Sequence, residues 1–154
     1  MELLKNLTAE EQQQMKDAIA YITILVAGAD DNIDENELAA ANKLAEIRSF
    51  SIHDELVPYY QEVKESLEDK LRALIQSLPN EVGARQEAIS KELEKLNPIL
   101  NKLSTHHGHV LYDNFVSFAK HVAKSSGGII GFMTVGPEEK KVVELPMLQP
   151  IVED

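Results

Sequence analysis

A chain of 154 residues with 44% apolar content is long enough for one domain with a sizeable core. Its 26 acids against 15 bases give a net charge of −11, which argues against a general affinity for nucleic-acid phosphates or anionic lipid and favours cations and basic partners. The absence of cysteine excludes disulfides, thiolate zinc sites and cysteine nucleophiles, and is compatible with a reducing compartment such as the cytosol.

The opening Met-Glu-Leu-Leu-Lys has no basic region followed by an apolar stretch and a small-residue cleavage site, so no secretory signal is read there. "LTAEEQQQMKDAIAYITILVAGA" then places Thr8 and Glu11 in capping-box spacing and predicts a first helix to about Gly28. Its second half is apolar nearly all round, as suits a helix in the middle of a bundle. The apolar run of residues 18 to 29 is shorter than the roughly 20 residues that span a bilayer, so direct membrane insertion is not expected.

The loop "AGADDNIDENEL" carries Asp30, Asp31, Asp34, Glu35 and Glu37. Asp34 at N-cap and Glu37 at N3 repeat the start signal, and Leu38, Ala41, Leu44, Ala45 and Ile47 follow at helical spacing. Ser51 and Asp54 suggest a third, longer helix over about residues 52 to 78, with Pro58 in an early turn and an apolar stripe running from Leu56 to Leu78. Pro79-Asn80 stops it, and Asn80 is placed to cap the next helix, which Asn97-Pro98 interrupts. Residues 57 to 97 thus read as an elongated, charged helical hairpin, its stripe of Val63, Leu67, Leu71 and Leu74 packing internally against residues 84 to 96. An exposed stripe would instead make the chain an adaptor or a homodimer.

Pro98 restarts a short helix through Leu103, "STHHGH" reads as a turn, and "VLYDNFVSFAKHVAKSS" is strongly amphipathic. A glycine-rich stretch follows, with a short extended piece conceivable around residues 129 to 135, before a last helix from Pro137, with Glu138 and Glu139 in its first turn, to near Pro146. No sustained alternation appears, and the class is all-α: a single-domain bundle of about six to seven helices. "NIDENELAAANKL" and "TVGPEEKKVVELP" align weakly, which suggests two pseudo-symmetric helix-loop-helix units.

Alternate carboxylates in a loop are a common way to supply oxygen ligands to Ca²⁺, Mg²⁺ or Mn²⁺. An EF-hand is excluded, because Glu35 stands where its glycine belongs and Ala41 where its bidentate glutamate belongs. Any cation site must therefore be assembled differently, from Asp30, Asp31, Asp34 and Glu37 helped by Glu138 or Glu139. Capping alone is the stronger reading of Asp34 and Glu37, whereas Asp30 and Asp31, which precede the cap, are less well explained by it.

Ala29, Asp30, Ile33, Asp34, Glu37 and Leu38, set between an apolar helix and a small-residue helix, resemble the signature of the TerB-like family, named for the tellurite-resistance protein TerB; Asp31 stands where that family usually has glycine. The later "GGIIGFMTVGPEEKK" is similar to its second unit. The resemblance covers about residues 15 to 50 closely and 110 to 150 loosely. It implies a TerB-like domain over 1–154 with 57–97 inserted, a cytoplasmic location, divalent-cation binding through the acids, a role in metal or oxyanion stress, and work in assemblies with a protein partner, in some members beside a membrane.

His106, His107 and His109 with His121 invite a transition-metal reading. Twelve residues of helix separate His109 from His121, about 18 Å, too far for one ion. No Gly-x-Ser-x-Gly elbow or phosphate loop is present, and Glu138 and Glu139, as neighbours in one turn, point about 100° apart. No enzyme activity is expected. The alternatives are a structural or interaction module in which the acids only cap helices, or metal-assisted hydrolysis at an open coordination position.

Overall fold

A computed structural model describes residues 1–29, 33–125 and 142–153. After a 3₁₀ turn at Glu2–Leu4, the helices are α1 (Ala9–Ala27), α2 (Glu35–Arg48), α3 (Val57–Ser77), α4 (Val82–Glu94), α5 (Leu96–Lys102) and α6 (Thr105–Lys124), with a second 3₁₀ turn at Asp54–Leu56 before α3. There is no strand among the described residues. The extended piece expected near residues 129 to 135 and the start of the last helix lie outside them.

The Thr8 side chain accepts from Glu11 N–H while Glu11 returns a bond to Thr8 N–H, completing the capping box read from the sequence. From Ala18 onward every residue of α1 except Tyr21 is buried. Such a helix is stable only if surrounded. Accordingly α3 and α6 pack most extensively on it, and α2 and α4 complete the enclosure. Thr23, inside this helix, donates its hydroxyl to Ile19 O at 2.7 Å and so carries no unmet polar group into the core.

The expected stripe of α3 is buried at Val63, Leu67, Leu71 and Leu74. It lies on α1 and α2, however, whereas α4 packs chiefly on α1. The physical reason is that α1 offers far more apolar surface than the charged α4, of which only Arg85, Ile89 and Leu93 are buried.

Other boundaries shift where a side chain reaches an amide better than the expected one. Glu81, not Asn80, caps α4, its carboxylate taking Gly83 N–H at 2.9 Å and Ala84 N–H at 2.6 Å. His53 rather than Ser51 or Asp54 caps the turn before α3. The break between α4 and α5 falls at Lys95, with Pro98 tolerated in the first turn of α5. "STHHGH" is not a turn: Ser104 caps α6 through His107 N–H, and His106 and His107 begin the helix.

Gly108, in α6, faces Ile151 and Leu100. A Cβ there would stand 3.0 Å from Ile151 Cδ1 and 3.2 Å from Leu100 O, so the glycine sets how closely the C-terminal segment lies on α6. Asn97 holds that segment from α5, donating to Met147 O at 3.0 Å and accepting from Gln149 N–H at 2.8 Å. No helix among the described residues is long and apolar enough to cross a membrane.

Candidate functional site

Asp34 and Glu37 lie at the start of α2, immediately beyond the acidic loop. Asp34 Oδ1 accepts from Asn36 N–H at 2.8 Å and Glu37 N–H at 3.3 Å, so this acid is an N-cap. Glu37 does not complete a box, because Asp34 N–H is donated to Ala27 O at 3.0 Å, closing the loop back on the end of α1. Glu37 itself is 0% exposed. Asp30, Asp31, Glu138 and Glu139 lie outside the described residues, as does any contact between the two acidic segments. Among the described residues no group of three or more His, Asp or Glu is arranged to hold a metal ion.

The end of α1 that leads into this loop is capped from another helix. Arg85 of α4 is 4% exposed and donates through Nη2 to Gly28 O at 2.7 Å and through Nη1 to Asn80 O at 3.1 Å. Gln86 donates to Leu25 O at 3.0 Å. A cation at the carbonyl end of a helix is favoured by its dipole. Gly28 admits it, since a Cβ there would stand 2.9 Å from Arg85 Nη2.

The histidines do not converge as ligands. His106 bridges two carboxylates, Glu55 through Nε2 and Glu153 through Nδ1, each at 2.8 Å, and these hydrogen bonds, Glu55 first, raise its pKa above the ordinary value. Glu55 is correspondingly held low, mainly by the same bond. His109 meets Ile151 O through Nδ1 at 2.7 Å. His121 is pushed down by burial, then by the positive charge of Arg48 and Lys124. The expected separation of His109 from His121 along one helix holds.

A second constellation, which the sequence reading passed over, surrounds Arg48 in the last turn of α2. Its Nη1 donates to Tyr60 Oη at 3.0 Å and Asn114 Oδ1 at 2.9 Å, and its Nη2 to Ser117 Oγ at 2.9 Å. Tyr60 in turn donates to Asn114 Oδ1 at 2.5 Å. The guanidinium carbon lies 5.5 Å from the ring centres of both Tyr60 and Phe118. Burial pushes the Tyr60 hydroxyl up to about 12 although the Arg48 charge pulls against it, so it stays a neutral donor. Arg48, Asn114 and Ser117 form one wall of a cavity of about 490 Å³ between the end of α2, the segment 51–56 and α6, with Ile47, Ile52 and Val110 among its apolar lining.

Comparison of the chain with protein-family models, with curated proteins and with solved structures finds no match.

Proposed function

We propose that the chain is a TerB-like, non-enzymatic accessory protein of the cytoplasm. In this reading it binds a divalent cation, Ca²⁺, Mg²⁺ or Mn²⁺, through Asp30, Asp31, Asp34 and Glu37, assisted by Glu138 or Glu139. The run of carboxylates carries the proposal: five acids fall within residues 30–37, directly after α1, and Asp34 N–H bonds Ala27 O, so the start of α2 is held against the end of α1. A cation beside the loop would offset the repulsion among those acids. The bundle would then count six to seven helices in two pseudo-symmetric units, α1 with α2 and α6 with the segment after it, and the cation would brace one acidic loop against the other. The braced state would present itself to a protein partner in a stress response.

A second reading has its own support. Asp34 Oδ1 accepts two amides of α2, which is the cap that an interaction module without a metal would need.

Calorimetric titration of chelator-treated protein with Ca²⁺, Mg²⁺ and Mn²⁺ separates the two, using an Asp30→Asn, Asp34→Asn double variant that keeps a capping side chain at 34 while removing both charges. Saturable heat in the wild type that is lost in the variant is the expected result. A folded wild type giving no saturable heat with any of the three ions leaves the acids as caps and ends the proposal.

A further inference from the structure

Arg48 is only 6% exposed, yet no carboxylate among the described residues lies within ion-pair distance of its guanidinium. A charge withdrawn from water ordinarily finds an opposite charge. Here it finds two hydroxyls, one amide oxygen and two ring faces. Of the five N–H donors of the fork, three meet these neutral acceptors, and Nε and the second hydrogen of Nη2 meet no acceptor among the described residues. Asn114 repeats the pattern. Its Oδ1 must face Arg48 and Tyr60, which both donate to it, and this fixes Nδ2 on the other side, enclosed and without an acceptor. Arg48, with donors to spare, lines the cavity beside α2 and α6 together with Asn114 and Ser117.

We propose that this cavity binds a small organic monocarboxylate, with its carboxylate on Arg48 and its hydrocarbon body against Ile47, Ile52 and Val110. A carboxylate only accepts, and its two oxygens match a guanidinium fork. The apolar residues lining the rest of the cavity favour a ligand with an apolar body over a bare inorganic ion. With Arg48 the one Arg or Lys on the lining, Asp113 beside it and a net charge of −11, a doubly charged phosphate is disfavoured more than a singly charged carboxylate. The site is separate from the acidic loop, since neither Asp34 nor Glu37 lines it. It stands whether or not a cation binds there.

The test is an NMR titration of the full chain, following backbone amides and the Arg48 Nε–H signal, with sodium butyrate, hexanoate and octanoate, with 1-hexanol as the uncharged counterpart and with inorganic phosphate. Saturable shifts at Arg48 Nε, Ser117 and His109 with at least one acid are expected, with hexanol weaker than hexanoate by about tenfold or more. Arg48→Lys, which keeps the charge but loses the fork, should weaken the acid by a similar factor. Because that change touches a buried network, Ile52→Trp is the second variant, filling the cavity while leaving Arg48 and its partners intact, and it should abolish the shifts. Alcohol binding equal to acid binding, no saturation with any acid, phosphate binding tighter than every acid, or undiminished binding in a folded Ile52→Trp variant would each overturn the proposal.

Discussion

Tyr60 sits where three helices exchange polar contacts inside an otherwise apolar core, and its hydroxyl is both acceptor for Arg48 of α2 and donor to Asn114 of α6. Removing it by Tyr60→Phe leaves the ring packing on Tyr59 and Phe118 but strands an Arg48 hydrogen, and should cost about 1–3 kcal/mol in urea unfolding with an unchanged denaturant slope. A loss under about 0.5 kcal/mol would mean that the network is not coupled through this hydroxyl. The network was faintly legible. Arg48 continues the buried series Leu38, Ala41, Ala45, and Asn114 interrupts the series Leu111, Phe115, Phe118, so each is a polar residue at an apolar register of its helix. What spacing within one helix cannot tell is that two such residues from helices 66 positions apart meet.

At the scale of elements, local chemistry decided more than periodicity did. The Thr8 and Asp34 caps were legible because each is a short polar side chain directly before an apolar run, with an acid three residues on. Glu81 was not, because a longer carboxylate reaches the same amides less often than the adjacent Asn80 would. The α2 cap gives a direct check: Asp34→Ala should destabilise by about 1 kcal/mol, and Asp34→Asn by much less, in thermal or urea unfolding of metal-free protein. Equal losses for the two would show that the charge of Asp34, rather than its hydrogen bonds to α2, is what matters there. The packing partner of α3 was less readable than its stripe, since a stripe says which face is buried and not against what.

For the molecule as a whole, the all-helical class and the central place of α1 followed from its nearly unbroken apolar second half, whereas the docking of the C-terminal segment depends on pairings with no local signature. One of these is pH-dependent. His106 gains Glu55 and Glu153 on folding and its pKa rises, so its contribution is complete below the ordinary histidine value of 6.5 and fades as pH climbs through the raised one. Glu55 is lowered, so its share is present above 4.5 and fades as pH falls through the lowered value. The clasp is therefore complete between pH 4.5 and 6.5. The difference in Tm between wild type and His106→Gln should be greatest in that window and shrink toward alkaline pH. A difference that does not vary with pH would assign the histidine a packing role only.

The enclosure of α1 also orders events during synthesis. The most water-averse helix is made before the helices that cover it, and α6, one of its two principal covers, is complete only at Lys124. At 5–20 residues per second, the interval from Ala27 to Lys124 is about 5–20 s. Throughout that time the stretch from Ala18 to Ala27 lacks the cover of α6 and has the arriving α2, α3, α4 and α5 to shelter it. The same helix that makes the finished bundle cohesive leaves the unfinished one with exposed apolar surface.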